Sequence, residues 1–189
     1  MIATTIIIII ALVAVALLWW VFTYNNFIAK KNRVKQAESS ICVMLKQRND
    51  MIPNLVAAVR NYVGHENATL TEITRLRSIL QQADNGQEQI ELGTQLSQKL
   101  SAMKITLEAY PELKADKQFL RLEESIEEME YQIQAARRTF NAAAVDFNNY
   151  AEMFPSSLIA GMKHYTCYKL ITIPEAETTN VDVKALFNA

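Results

Sequence analysis

The sequence predicts an all-α protein: an N-terminal transmembrane helix, a long antiparallel helical bundle, and a short extended C-terminal tail. Three observations predict it. No residue from Met1 to Phe22 has a charged side chain, the second half keeps an unbroken seven-residue apolar repeat, and only four Gly and four Pro occur in 189 residues. The corresponding units are an anchor at 1–23, a bundle at 24–161 and a tail at 162–189.

At 1.5 Å per residue the opening run makes a helix about 33 Å long, enough to cross a hydrocarbon core of roughly 30 Å. A cleaved signal peptide needs a basic segment ahead of its apolar run, and no Lys or Arg precedes this one. Ala14-Val15-Ala16 imitates a cleavage site but lies within the apolar run, so the anchor is expected to stay. Lys30, Lys31, Arg33 and Lys35 all come before the first acid, Glu38, which is a positive-inside pattern. Trp19, Trp20 and Tyr24 stand at the same boundary, where aromatic side chains prefer to sit. These seven residues are the expected membrane interface, with the amino terminus outside and the bulk of the chain cytoplasmic.

The first bundle helix continues from the anchor, its apolar stripe being Val34, Ile41, Leu45, Ile52, Leu55, Val59 and Tyr62. Pro53 falls inside the stripe, where it either kinks the helix or restarts it. Leu70, Ile73, Leu76 and Leu80 form the face of the next helix, with Thr69 and Glu72 in capping-box register. Asp84-Asn85-Gly86 is a turn, and Leu96, Leu100, Met103, Leu107 and Tyr110 repeat at heptad spacing until Pro111. The strongest signal runs from Phe119 through Leu122, Ile126, Met129, Ile133, Ala136, Phe140, Ala143, Phe147 and Tyr150 to Phe154. Its mean spacing of 3.5 predicts a nearly straight helix of about 53 Å packed as a left-handed coil, with Asp116 as N-cap and Pro155 as the stop. Beyond a short helix at 156–162, "HYTCYKLITI" and "VDVKALF" have strand composition. They either lie along the bundle or pair with a neighbouring chain.

The chain is nearly neutral, at net charge -1, and its positive charge is concentrated next to the anchor, which excludes a nucleic-acid-binding face. Cys42 and Cys167 show neither CxxC nor Cys/His spacing and read as reduced thiols. His65-Glu66 begins a zincin motif that Thr69 breaks, and His164 is the only other imidazole, so no metal site, cofactor or catalytic residue is expected. One polar set needs a different explanation. Glu38 and Arg48 interrupt the first stripe, while Glu123, Glu130, Arg137 and Asn141 flank the long heptad seam. A charged pair such as Arg48 with Glu123 or Glu130 is expected between helices, fixing their register.

Five ordered segments, "YNNFIAKKNRV", "IPNLVAAVRNYVGHENATL", "EAYPELKADKQFLRLEE", "AARRTFNAAAVDFNNY" and "FPSSLIAG", resemble the bacterial LemA family from about Tyr24 to Gly161. The matching positions are Tyr24, Asn25, Arg33, Pro53, Asn54, Leu55, Tyr62, His65, Glu66, Tyr110, Pro111, Leu113, Lys114, Phe119, Arg137, Asn141, Phe154 and Pro155. Phe140 and Phe147 stand where the family more often has Tyr, and the tail fits the family's ending loosely. The resemblance implies a single-pass protein of the bacterial inner membrane with a helical bundle and no established enzymatic activity; magnetosome-associated relatives point to membrane organisation. The resulting expectation is a non-enzymatic scaffold in the lipid bilayer that self-associates as a homo-oligomer and organises membrane or partner proteins. A signalling adaptor coupling a membrane partner to cytoplasmic proteins is the alternative, and an enzyme at the membrane surface is a more remote one.

Overall fold

The computed structural model describes residues 1–63 and 68–172, which form six helices and no strand. α1 (Ile2–Val63) is followed by α2 (Ala68–Gln82), α3 (Gly86–Leu107), the short α4 (Pro111–Lys114), α5 (Lys117–Glu152) and α6 (Ser156–Met162). α1 has 62 residues and is therefore about 93 Å long. The chain is exposed as far as Phe22, whereas from Thr23 onward α1 is the spine on which the rest of the chain packs.

α5 runs back along α1: Glu130 lies beside Arg48, Asp146 beside Lys30, and Phe147 beside Phe27. α2 and α3 form the expected hairpin on the distal half, and α3 lies parallel to α1, with Gly86 against Glu38 and Gly93 against Leu45. Two cores result. The distal one joins Ile52, Leu55 and Val59 of α1 to Leu70, Ile73, Leu76 and Leu80 of α2, Leu96 to Leu107 of α3, Leu113 and Phe119. The proximal one is thinner, with Phe27, Val34, Ile41 and Leu45 against Ile133, Phe140, Ala144 and Phe147 of α5 and Ile159 and Ala160 of α6.

Local signals account for most of the boundaries. Asp116 caps α5 by accepting from the amides of Gln118 at 2.7 Å and Phe119 at 3.3 Å, and Asn85 caps α3 by accepting from Gln87 at 3.0 Å. The capping-box reading of Thr69 and Glu72 is corrected: Thr69 lies inside α2, and the Glu72 carboxylate turns forward to a bidentate pair with Arg75 at 2.8 and 2.9 Å. The seam on α5 holds as far as Tyr150 but not to Phe154, which lies beyond the helix end and is 74% exposed. Ala144 rather than Ala143 is fully buried, because a straight helix drifts about 20° per heptad against a strict seven-residue repeat. Tyr62, on the first stripe, is also exposed, at the far end of α1.

Pro53 neither breaks nor restarts α1, which is helical on both sides of it. Proline has no N–H, so the carbonyl of Asn49, one turn earlier, loses its helical partner. Arg77 of α2 replaces it: its Nε donates to Asn49 O at 3.3 Å, and Asn49 Nδ2 reaches back to Arg77 O at 3.5 Å. Asn49 is only 2% exposed, so its carbonyl is shut off from bulk solvent and needs a partner within the protein.

Arg77→Ala is expected to destabilise the protein by about 1–3 kcal/mol, the cost of an unsatisfied buried carbonyl. In a Pro53→Ala background, where residue 53 regains its N–H, the same change should cost distinctly less. Denaturant unfolding of the four members of the cycle measures the coupling.

Candidate functional site

The most polar part of the interior lies where α1, α3 and α5 meet. Arg48 projects from α1 and is 0% exposed. Its Nη2 donates to the Gly93 carbonyl at 2.9 Å, and its Nη1 donates to Ser97 Oγ at 2.6 Å and to the Glu130 carboxylate. Ser97 in turn donates to Glu130 Oε1 at 3.0 Å, and Gln134 Nε2 donates to the same oxygen at 3.2 Å. Three helices are thus fastened through one guanidinium. Gly93 makes the approach possible, since a Cβ there would sit 2.5 Å from Leu45 Cδ2.

Arg137, two turns beyond Glu130 on α5, is also buried, at 1% exposure, and donates to Thr94 Oγ1 at 3.0 Å. Burial pulls the Arg48 guanidinium below its ordinary value; the Glu130 charge and hydrogen bond oppose that, and the Arg137 charge adds to it. Among the described residues, Arg48 Nε has no hydrogen-bond partner.

The expected set of Glu38, Arg48, Glu123, Glu130, Arg137 and Asn141 is therefore only partly one network. Arg48 and Glu130 pair, and Arg137 lies next to them on Thr94. Glu123 instead lies 3.7 Å from Lys104, which also pairs with Glu127, outside the node. Glu38 is half-buried against Gly86 at the start of α3, where a carboxylate meets the positive end of the helix dipole. Thr94, Ser97 and Gly93 were not anticipated as partners. The available signal was the isolated Gly inside the α3 pattern, which marks a close backbone approach.

Asn141 has a different role. Its amide donates to Ile171 O at 2.8 Å and accepts from Ile171 N at 2.9 Å; Asn148, two turns on, does the same for Tyr168 O and N, both at 2.9 Å. Seven residues of helix span about 10.5 Å, close to three residues of extended chain at about 3.3 Å each. Two asparagines a heptad apart therefore match main-chain groups three residues apart. The described part of the tail thus lies along α5 rather than forming a strand, and Tyr165 closes it over Phe27 and Phe147, with centroids at 5.0 and 6.2 Å. "VDVKALF" and His65-Glu66 lie outside the described residues.

Beside the node, an open cavity of about 600 Å³ separates α3 from α5, lined by Leu100, Met103, Leu107, Phe119 and Ile126, with Lys104, Glu123 and Glu127 at its polar edge. Among the described residues no three His, Cys, Asp or Glu side chains converge as a metal site. Burial and then the Glu38 charge push the Cys42 thiol up; desolvation and the Glu152 hydrogen bond push up that of Cys167. Both shifts disfavour the thiolate.

At the other end of the bundle, Trp19, Trp20 and Tyr24 are 50%, 38% and 37% exposed. The basic cluster divides by task. Lys30 pairs with Asp146 at 2.7 Å, and Lys31 donates to Tyr165 Oη at 2.7 Å and lies over that ring. Arg33 and Lys35 point away from the bundle and are exposed.

A long apolar N-terminal helix, a candidate membrane span by length and composition, continuous with a bundle held by buried arginines defines a class of helical-bundle proteins with an apolar leading helix. The chain belongs to the LemA family, which it matches over residues 37–185. It is 28% identical over 165 residues to Protein LemA of Metamycoplasma hominis, an alignment covering 87% of this chain and 75% of that relative.

Glu130→Ala should destabilise the protein by about 3 kcal/mol, because it strands Arg48 in the interior. That is the low end for a buried pair, as the Glu130 side chain keeps 30% exposure. Replacing both partners, R48M with E130L, should restore stability to within about 1 kcal/mol of the parent. Thermal and denaturant unfolding of the full chain in mild detergent distinguish these outcomes.

Proposed function

We propose that this protein is a non-enzymatic, membrane-anchored scaffold that stands on the cytoplasmic face of a bacterial inner membrane, self-associates, and organises membrane or partner proteins. The observation that carries the reading is the continuity of α1, whose exposed apolar first third passes without interruption into the spine of both cores. A joint of that kind leaves the bundle little freedom to turn relative to its anchor. The basic residues from Lys30 to Lys35 support an orientation with the amino terminus outside. Confinement to a plane raises the effective concentration of one chain around another, so lateral association needs only modest contacts. The densest polar feature serves packing: Arg48 and Glu130 bind each other and α3. One observation favours a second reading, an adaptor for a cytoplasmic partner, namely the open apolar cavity between α3 and α5.

Full-length protein extracted gently and also reconstituted into vesicles, imaged by electron microscopy and measured for mass, is expected to give ordered multi-chain particles. Dispersed monomers in both preparations would contradict self-association and move the adaptor reading to first place.

A further inference from the structure

The turn after α5 and the outer face of α6 expose apolar side chains that the bundle does not use. Met153, Phe154, Leu158 and Met162 are 61%, 74%, 52% and 70% exposed. α6 is two-faced: Ile159 and Ala160 are in the proximal core, while Leu158 and Met162, four apart, share the opposite side. Bundle packing therefore explains one face and leaves the other without a partner.

The position of this face identifies the partner. Because α5 runs antiparallel to α1, its end returns to the level at which α1 leaves its apolar segment. Tyr150 Oη donates to the Thr23 carbonyl at 3.3 Å, and the Phe154 ring lies 6.3 Å from that of Trp19. Trp19 is three residues before Phe22, where the wholly apolar run ends, which puts Phe154 about 4.5 Å inside that end. From Met153 to Thr172 the chain carries two lysines, Lys163 and Lys169, and no acid; Glu152, beside Cys167, is the nearest carboxylate before it.

We propose that residues 153–162 form a second membrane contact, a short monotopic foot whose Phe154, Leu158 and Met162 enter the boundary between headgroups and acyl chains next to the span. Lys163 then meets the headgroup phosphates. The inference rests on the anchor reading above and extends it: an anchor alone holds the bundle at one point, whereas an anchor with a foot fixes its tilt. It also places extra apolar volume in one leaflet only, beside the span.

Site-directed spin labels on the full chain, with Cys42 and Cys167 replaced by Ala, test this in vesicles of phosphatidylethanolamine and phosphatidylglycerol. Labels go on L158C and M162C, with V13C in the anchor and K117C at the distal end of the bundle as references. The expected result is preferential collision of the 158 and 162 labels with oxygen over an aqueous nickel complex, at depths of about 5–10 Å below the headgroup boundary. If those labels behave like K117C while V13C lies deep in lipid, the foot is wrong and the anchor reading stands. If V13C is itself aqueous, the anchor reading fails and the foot with it. Shielding from both reagents, with dipolar broadening between labels, would overturn the proposal by assigning the face to a second copy of the chain.

Discussion

The unbroken course of α1 is the constraint on which the rest of the architecture depends. Its apolar opening segment and its bundle stripe lie on one helix of 62 residues, so whatever holds the first part also orients the second. α5 returns along it, α2 and α3 thicken the distal half, and α6 with the tail covers the proximal half. The only residue that could have interrupted this course, Pro53, is accommodated because Arg77 supplies the hydrogen bond that proline cannot.

Burying Arg48 and Arg137 between helices costs solvation, and the Glu130 carboxylate offsets that of Arg48 only with help. Ser97 and the Gly93 carbonyl provide that help, Thr94 accepts from Arg137, and all three come from α3. An all-apolar contact could match this stability, but it would tolerate sliding by a heptad along a repetitive seam. A guanidinium that needs one carbonyl, one hydroxyl and one carboxylate does not. The asparagines of α5 specify position in a second way, by pairing with main-chain groups of the tail and so setting where residues 168 and 171 lie without regard to their side chains.

Periodicity made the helices legible, and the four apolar positions read on α2 are the four it buries. Pair identity was only half legible: Arg48 with Glu130 was foreseen among two options, because a charge at a seam position must find a partner on the facing helix. The small residues that complete the node were not, since Ser and Thr on a helix more often bond back to their own carbonyls than across to another helix. Asn141 and Asn148 stand seven residues apart in the sequence, but amides at that spacing read equally as solvated surface until a segment of main chain is laid against them. Phe154 shows the opposite error: it continues the heptad register in sequence, yet the helix has already ended, so register no longer determines which way it faces.

An α1 that is helical from Ile2 to Val63 should carry its apolar segment and the bundle as one rigid rod. Pulsed electron spin resonance between labels at V13C and V43C, in full-length protein in vesicles, tests it most directly. Thirty residues of continuous helix put the two sites about 45 Å apart. A single narrow distance distribution near that value is expected of an unbroken helix; a broad or markedly shorter one would show a hinge between the apolar segment and the bundle and rule out the rigid rod.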